Sequence, residues 1–382
     1  MSGGNGAEQG AEGLALLREL VEVPSVSGSE RGAAALLVER MLVLGLDAWI
    51  DDAGNAVGVV SHPEADGTTR DIVLLGHIDT VPGVVPVRVE DGCLWGRGTV
   101  DAKGPLVAAV LAAARARLPR GVRVVVIGAV EEEAATSRGA RHAAREWAPA
   151  ACIIAEPSGA DGFAIGYKGR LLARYERARE VAHSARAEMS AADSGFAWWG
   201  RVLEGVRGMR GGGSAFEAVQ ATLRAVRTES DGLMERVVME AGFRLPPGVT
   251  AEMVEGVCRG CAAEGDELGF SGREEAHVAE RGSAVARALS GAIRSEGMVP
   301  RPKLKTGTCD FNVVGPAWGC PIAAYGPGDS TLDHTPAERV STEEFGRGVR
   351  VLTRAVESLA GELAAGESVT GQPTGRGTGG PC

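Results

Sequence analysis

The sequence has no apolar run that approaches the roughly 20 residues needed to span a bilayer. Residues 1–10 also lack the basic and apolar regions of a signal peptide. We therefore expect no membrane association, and the cytoplasm is the default compartment.

Sustained basic runs are also missing, and the formal net charge is -10. A protein that binds a phosphate backbone needs a basic face, so this composition argues against nucleic acid as the main partner. It leaves room for a local basic patch.

Cysteine is scarce, with seven residues scattered through the chain. An odd number without regular spacing does not indicate a disulfide framework, and we expect most of these side chains to be small buried apolar groups. The only close pair, Cys258 and Cys261, forms a CxxC motif. Such a motif can be redox-active or half of a zinc ribbon, but a second CxxC and a βαβ context are both missing, which favours a structural role.

Hydrophobic residues make up 44% of the 382 residues, enough for a buried core, and this length corresponds to about two domains. Apolar segments of strand length at 72–75, 122–130 and 151–155 alternate with helical patterns. The segment 122–130 is too apolar for a strand with one face in solvent. We expect an α/β fold with a mixed, mainly parallel sheet and helices on both faces.

The character of the sequence changes after residue 168, where an Arg-rich segment is followed by predicted helices over 196–206 and 215–226 and a predicted strand over 236–244. We interpret this region as an inserted smaller α+β domain that serves as a lid or for dimerisation. The glycine-rich, polar ends are predicted to be disordered tails. The predicted divisions are a catalytic domain in two parts, 11–168 and 283–365, an inserted domain, 169–282, and tails, 1–10 and 366–382.

Acidic and histidine residues follow directly after several of the apolar segments. His77 and Asp79 come after 72–75, three glutamates come after 122–130, and Glu156 comes after 151–155. Ligands of α/β sheets collect beyond the carboxyl ends of the strands. Carboxylates and imidazoles delivered by separate segments are typical of a two-metal site.

Each of these residues has a simpler explanation when taken alone. A single histidine such as His77 is more often a loop or core residue, and Asp101, which precedes a predicted helix, could be a helix cap. Asp79 lies two residues after His77 and can orient its ring. Three consecutive glutamates after a buried strand do not fit a solvated face, because charged groups avoid burial unless they are paired or bound to metal.

Five strings carry a resemblance to a known family: Gly76-His77-Ile78-Asp79-Thr80, Gly96-Arg97-Gly98-Thr99-Val100-Asp101-Ala102-Lys103-Gly104, Glu131-Glu132-Glu133, Glu156-Pro157-Ser158 and Asp333-His334-Thr335-Pro336-Ala337-Glu338. They resemble the co-catalytic di-zinc peptidase and deacetylase family. That family includes acetylornithine deacetylase, succinyl-diaminopimelate desuccinylase and carboxypeptidase G. The resemblance covers nearly the whole chain between the tails, in the family's order and spacing.

The resemblance implies two divalent metals per chain, zinc or alternatively cobalt, with Asp101 as the bridging ligand. The remaining implied ligands are His77 and Glu156 for one metal, and Glu133 and His334 for the other. Carboxylate and imidazole ligands suit these metals, and two such cations polarise an amide carbonyl and lower the pKa of a water between them. Glu132 is implied as the general base, with Asp79 as a further catalytic residue, and Glu131 is left structural.

The resemblance also extends to residues that contact substrate. His183 lies in the string Val181-Ala182-His183-Ser184-Ala185, whose histidine in the family donates to the developing oxyanion, commonly across a homodimer interface. Arg244 resembles the arginine that clamps a substrate carboxylate, a bidentate role unsuited to lysine, although a surface arginine before a proline turn is an equal alternative from sequence. Thr308 and Asp310 belong to a substrate-pocket loop in which Cys309 replaces the usual serine.

Within the family, the string Tyr167-Lys168-Gly169-Arg170 and the segments 133–141 and 305–308 are most similar to members that act on a small acidic amino-group carrier protein, LysW. These members release lysine, and in some organisms ornithine, from its C-terminal glutamate. An acidic substrate favours a basic surface near the cleft. We expect Arg170, Arg174, Arg177 and Arg179 to provide it, with a solvated Arg-rich strand as the alternative.

Two other functions remain open. The same chemistry on a small substrate would make this chain an acetylornithine or N-acetyl-lysine deacetylase, or a succinyl-diaminopimelate desuccinylase. A non-catalytic binding protein of the same fold is the second alternative, and the intact ligand set with Glu132 argues against it. The sequence thus predicts a metal-dependent amidohydrolase acting on a linear amide.

Overall fold

The computed structural model describes residues 3–65, 67–183, 188–209 and 213–366, with the backbone alone for 3–10. Its helices are α1 (Gly3–Glu22), α2 (Arg31–Val43), α3 (Lys103–Arg115), α4 (Arg138–Glu146), α5 (Ala191–Arg207), α6 (Ala251–Gly260), α7 (Ala284–Ser295), α8 (Phe311–Trp318) and α9 (Thr342–Ala364). Its strands are β1 (Asp47–Ile50), β2 (Ala56–His62), β3 (Arg70–His77), β4 (Arg88–Glu90), β5 (Cys93–Trp95), β6 (Val122–Ala129), β7 (Ala151–Ala155), β8 (Gly162–Tyr167), β9 (Gly169–Glu180), β10 (Gln220–Ser230), β11 (Met234–Leu245), β12 (Asp266–Glu274), β13 (His277–Val278), β14 (Arg301–Lys305), β15 (Ile322–Ala324) and β16 (Arg339–Ser341).

The larger sheet has the strand order β1-β2-β6-β3-β7-β15-β8-β13, and β14 pairs with β8. Strand β3 runs parallel to both β6 and β7, and β15 runs parallel to β7. Antiparallel pairs lie toward the ends of the sheet, as between β1 and β2 and between β8 and β13. The predicted mixed, mainly parallel sheet is confirmed.

Both faces of this sheet are covered by helices. In β3, Leu74 belongs to a core that includes side chains of α1, α2, α3, α7 and α9. Its neighbour Val73 belongs to a second core on the opposite face, with side chains of α4 and α8. Successive side chains of a strand point to opposite faces, so a strand between two helical layers must be apolar at nearly every position. This explains the unbroken apolar runs of β3 and β6.

A smaller antiparallel sheet has the strand order β10-β11-β9-β12. Helices α5 and α6 pack against one face of it, where Trp198 stacks on Tyr175 with ring centroids 4.7 Å apart. The indole N–H of Trp198 donates to the carbonyl of Cys258, so no polar group of this side chain is left unpaired in the core. These elements fall within residues 169–282, which we keep as the proposed inserted domain.

Two predictions about individual segments are wrong. Helix α1 begins at Gly3, so residues 3–10, expected to be disordered, continue the helix that carries the apolar side chains Leu17 and Leu20. The segment 215–226, expected to be a helix, contributes to strand β10, which pairs with β11 from Gln220 opposite Arg244 to Ser230 opposite Glu235. Tertiary strand pairing here overrides helical spacing. The predicted tail 366–382 lies outside the described residues except for Gly366.

Strands β4, β5 and β16 form a small antiparallel sheet. Because β16 pairs with β5, the loop that contains His334 is brought next to the loop that contains Asp101. No helix in the described part of the chain is long and apolar enough to cross a membrane.

Candidate metal centre and active site

Three adjacent parallel strands present the first group of site residues. His77 ends β3, the three glutamates follow β6, and Glu156 follows β7. Because β6, β3 and β7 are neighbours with the same direction, these side chains meet at one edge of the sheet. Asp101 arrives from the loop before α3, and His334 from the loop between β15 and β16.

Asp101 lies between the two histidines. Its Oδ1 is 3.1 Å from Nε2 of His77, and its Oδ2 is 2.9 Å from Nε2 of His334. Nε2 of His77 is also 3.7 Å from Oε1 of Glu156, and Nε2 of His334 is 2.8 Å from Oε1 of Glu133. Each oxygen of the aspartate therefore belongs to a different group of potential ligands, which is the arrangement required of a bridging carboxylate.

The donor set fits divalent metal ions. His77, Asp101 and Glu156 form one group, and Asp101, Glu133 and His334 another, with the donor atoms of each group within 4.8 Å of one another. Imidazole and carboxylate donors in this mixture suit zinc or cobalt.

The pKa shifts within the cluster also support metal binding. Burial raises the pKa of Glu132 well above its ordinary value, and the nearby Glu156 raises it further against the opposing effect of His77. Burial likewise raises the pKa of Glu156. Asp101 is partly buried, which favours a higher pKa, but hydrogen bonds with His334 and His77 hold the pKa of its carboxyl well below its ordinary value. So many carboxylates gathered with little access to water are tolerated where cations neutralise them.

Asp79 organises the turn that carries two of the glutamates. Its Oδ1 accepts a hydrogen bond from the backbone N–H of Glu132 at 3.1 Å, and its Oδ2 accepts one from the N–H of Glu133 at 3.0 Å. The hydroxyl of Ser27 donates to the same Oδ2 at 2.7 Å. Nδ1 of His77 lies 3.0 Å from the backbone carbonyl oxygen of Asp79. One fully buried aspartate thus orients three residues of the cluster.

Glu338 supports the Asp101 loop, a role that sequence reasoning missed. Its side chain is fully buried, and its Oε1 accepts backbone hydrogen bonds from Gly98, Val100 and Asp101 at 2.9, 3.1 and 3.2 Å. Its Oε2 pairs with Arg97. The available signal was an acid four residues after His334 in an otherwise small and apolar stretch.

Glu131 is turned away from the cluster. Its carboxylate accepts hydrogen bonds from the hydroxyl of Thr136 and from Nε of Arg138, each at 2.7 Å. Its backbone N–H donates to Glu30. These contacts anchor the start of the turn, which agrees with the structural role expected for this residue.

A cavity of about 780 Å³ opens beside the cluster. It is lined by residues of the larger sheet and of the four-stranded sheet β10-β11-β9-β12. Asp101, Glu132, Glu133, Glu156 and His334 lie on one wall. Two further predicted site residues, Arg244 on β11 and Thr308 after β14, also line it. The structure therefore brings the expected carboxylate clamp to the same space as the metal-ligand candidates.

The pocket loop of Thr308 and Asp310 is held against the junction of β8 and β9. The hydroxyl of Thr308 donates to the backbone carbonyl of Lys168 at 2.6 Å, and Asn312 donates to the same oxygen. Asp310 is 1% exposed, and neither carboxylate oxygen has a hydrogen-bond partner among the described residues. Burial raises the pKa of Asp310 to about 7.

His183 is the one predicted catalytic residue placed elsewhere. It is exposed on the loop after β9 and is not among the residues that line the cavity. Ser184 and Ala185 of its string lie outside the described residues.

The arginines of β9 do not form one basic surface, contrary to our expectation. Arg174 pairs with Glu176, Arg177 with Asp266 at 2.7 Å, and Arg179 with Glu188 at 2.7 Å. Side chains alternate along a strand, so Arg170 and Arg174 point to the opposite face from Arg177 and Arg179. Of the four, only Arg170 lines the cavity.

Comparisons with known proteins agree with this geometry. A LysW-lysine hydrolase from Deinococcus radiodurans is 45% identical to this chain over 355 residues, 91% of this chain and 96% of that protein. A putative LysW-lysine/LysW-ornithine hydrolase from Thermococcus kodakarensis is 39% identical over 363 residues, 94% of this chain and 95% of that protein.

The fold has solved counterparts as well. An M20 family metallo-carboxypeptidase, Sso-CP2 from Sulfolobus solfataricus, has a TM-score of 0.76, with 16% identity and coverage of 91% of this chain and 99% of that chain. At that identity the likeness concerns the fold alone. The family described as Peptidase family M20/M25/M40 matches residues 73–358, and this protein is therefore a member of peptidase family M20/M25/M40.

Proposed function

We propose that this protein is a metal-dependent amide hydrolase that releases L-lysine from the C-terminal glutamate of the carrier protein LysW, with L-ornithine as a second amine product. This places it in lysine biosynthesis, and in arginine biosynthesis where ornithine is released. The observation that carries the proposal is that a cluster of two imidazoles and four carboxylates lies beside one cavity, which Arg244 also lines. The 45% identity to a LysW-lysine hydrolase over nearly the whole chain supports the choice of substrate.

Two divalent cations fit the donor groups of this site, and we propose zinc, with cobalt as the alternative. His77, Asp101 and Glu156 would hold one, and Asp101, Glu133 and His334 the other. Such a pair supplies Lewis-acid polarisation of an amide carbonyl and a water of lowered pKa.

Glu132 is the proposed general base. Its backbone is fixed by Asp79, and its carboxylate lines the cavity beside the ligand candidates without being one of the six positions assigned above. Its raised pKa suits a group that accepts a proton from the attacking water and then delivers it to the departing amine. Asp79 has the indirect role of positioning this base and the ring of His77.

We propose that substrate is bound by residues outside the metal-ligand cluster. Arg244 is proposed to hold the carboxylate of the departing amino acid, for which a planar guanidinium is suited. One terminal nitrogen of Arg244, Nη1, is buried without a hydrogen-bond partner among the described residues, so a bond to substrate would satisfy it. Thr308 and Asp310 are proposed to shape the pocket from the loop after β14.

We further propose a homodimer in which His183 reaches the active site of the partner chain. The support is its exposed position away from the cavity of its own chain, together with the exposed apolar side chain of Val181 two residues before it. A histidine delivered by a second chain could donate to the developing oxyanion.

The proposed compartment is the cytoplasm. The six cysteines within the described residues are all free thiols, and five of them have pKa values raised by burial: Cys152, Cys258, Cys261, Cys309 and Cys320. Unpaired, unreactive thiols are the usual state of cysteine in a reducing compartment.

The test compares amine release from LysW-lysine, LysW-ornithine, N-acetyl-lysine and acetylornithine by the zinc-loaded and cobalt-loaded protein. We expect kcat/KM to be highest for a carrier adduct. Glu132→Gln is the matched inactive control, which excludes a contaminating hydrolase. Faster cleavage of acetylornithine than of either adduct would assign the chain to the small-substrate deacetylases instead.

A further inference from the structure

Three arginines from adjacent strands of the smaller sheet line the catalytic cavity: Arg170 on β9, Arg224 on β10 and Arg244 on β11. Strand β11 lies between the other two, and Arg170 and Arg244 are direct cross-strand partners. Of these three, the resemblance to the family assigns a substrate contact to Arg244 alone, although Arg170 lies in one of the similar strings. The other two cations are left without a role in the proposed reaction.

Among the described residues, these arginines differ from their neighbours because no acidic side chain forms an ion pair with them. On the same strands, Arg174 pairs with Glu176 and Arg227 pairs with Glu240 at 3.2 Å. Within the described ranges, by contrast, no carboxylate oxygen lies within ion-pair distance of the three cavity arginines, and the only hydrogen bond found for Arg170 is a long one from Nε to the carbonyl of Gly272 at 3.4 Å.

Repulsion among these three cations affects the pKa of Arg244. Burial lowers the pKa of Arg244, and the positive charges of Arg170 and Arg224 lower it further, against an opposing effect of Glu132. Like charges at close range repel, so the cluster favours a ligand that brings negative charge.

The surrounding chain leaves space for both side chains. A Cβ atom at Gly242 would lie 3.1 Å from Cδ of Arg224, and one at Gly272 would lie 3.3 Å from Nε of Arg170. The nearest acid on the adjoining strand is Glu274, opposite Arg170 on β12, but its carboxylate already accepts a hydrogen bond from Arg141. Glycine at these two positions thus allows the arginine stems to lie flat across the sheet.

The number of carboxylates in the substrate provides the link to function. An N-acetylated lysine has one carboxylate, which a single arginine can bind in a bidentate manner. A C-terminal glutamate joined to lysine through one of its two carboxyl groups retains the other. The adduct therefore carries two carboxylates, one on each side of the scissile amide, and the cavity has cations for both.

We propose that Arg170 and Arg224 form a second carboxylate subsite, which binds the free carboxylate on the acyl side of the scissile amide and selects glutamyl over acetyl substrates. This inference rests on the proposed function. Arg244 retains the carboxylate of the departing amino acid, and the two sites together fix both ends of the amide relative to Glu132.

The test uses Arg170→Gln and Arg224→Gln, with Arg227→Gln as the matched control on the same strand as Arg224. Substrates are lysine acylated on its α-amine by glutamate, through either carboxyl group, and N-acetyl-lysine. Loss of one charged hydrogen-bonding group should lower the ratio of kcat/KM for the glutamyl over the acetyl substrate about 10- to 100-fold. Arg224→Lys should recover part of this loss, and the control should retain the full ratio.

A binding measurement separates this inference from the proposed function. Calorimetry with N-acetylglutamate on the zinc-loaded protein should give at least a tenfold weaker Kd for Arg224→Gln than for the control, with melting curves confirming that both are folded. Equal Kd values, or an unchanged substrate ratio in folded variants, would overturn the subsite. If the wild type prefers acetylornithine to the carrier adduct yet N-acetylglutamate binding still depends on Arg224, the proposed function fails and the subsite stands.

Discussion

The carboxylate of Asp79 accepts a hydrogen bond from the backbone N–H of Glu132 at 3.1 Å. Its second oxygen accepts one from the following N–H, that of Glu133. A single aspartate thereby holds in one turn the proposed base and a proposed metal ligand, and any change in its oxygens disturbs both.

Asp79→Asn should lower kcat about 10- to 100-fold, the range typical of residues that orient a metal site without binding it. Asparagine offers one acceptor oxygen, and in either orientation its amide nitrogen would face a backbone N–H, that of Glu132 or that of Glu133. Steady-state kinetics with metal content measured on the same samples provides the test. Ser27→Ala is the milder control, since it removes one of the three bonds. Wild-type kinetics for Asp79→Asn would contradict the positioning role.

The neighbouring glutamates should respond differently to the same substitution. Glu132→Gln should keep its metal and lose a factor of about 100 to 10,000 in kcat, because the proposed general base is gone. Glu133→Gln should instead weaken metal binding, because it removes an oxygen that lies 2.8 Å from Nε2 of His334. Elemental analysis measures the metal content of both variants and kinetics measures their kcat, which together distinguish the base from the ligand. An empty site in Glu132→Gln with a filled one in Glu133→Gln would exchange the two roles.

The sequence was sufficient for those parts of the site that follow from strand direction. Apolar runs on both faces indicate parallel strands between helical layers, and the carboxyl ends of such strands must meet at one edge, which places His77, Glu133 and Glu156 together. Asp101 and His334 come from loops, whose course local patterns do not determine. The site roles of Asp101 and His334 were predicted from the resemblance of whole strings to the family, not from the periodicity of apolar residues.

Features that depend on pairing between distant segments escaped prediction. The spacing of apolar residues over 215–226 resembles a helix, but hydrogen bonding to β11 makes residues 220–226 part of a strand. Because Arg224 lies on this strand, its side chain lines the cavity. Likewise, the ion pair that neutralises Arg177 depends on the register of β9 with β12, which composition does not reveal.

Metal content offers a third prediction. The saturated protein should contain about two zinc or cobalt ions per chain, and Asp101→Ala should lose both, because one oxygen of Asp101 faces each histidine. Chelation should also lower the melting temperature, since a ligand present at about 1,000 times its Kd stabilises the folded state by about 4 kcal/mol. A single tightly bound ion with full activity would contradict the bridging assignment.

Complementation between inactive chains tests the dimer. If His183 serves the partner's active site, mixing His183→Ala chains with Glu132→Gln chains should restore activity in heterodimers. One of the two sites then contains an intact Glu132 from one chain and an intact His183 from the other. Subunit exchange must be verified with differently tagged chains. Exchange without recovery would place His183 in its own chain's site or outside catalysis.

The last prediction concerns salt. This chain has a net charge of -10, so its overall charge repels an acidic carrier, and we expect the attraction to come from the three cavity arginines. Exposed charges are screened beyond about 8 Å at physiological ionic strength, so kcat/KM for the carrier adduct should fall as salt is added. The value for N-acetyl-lysine, which lacks the carrier's charge, should change little. Arg224→Glu should flatten the salt dependence for the carrier, whereas Arg88→Glu, an equal change of net charge in the small sheet of β4, β5 and β16, should leave the slope as it is. A carrier reaction that accelerates with salt would mean that repulsion between the two acidic proteins dominates their encounter and that the cavity arginines act only after contact.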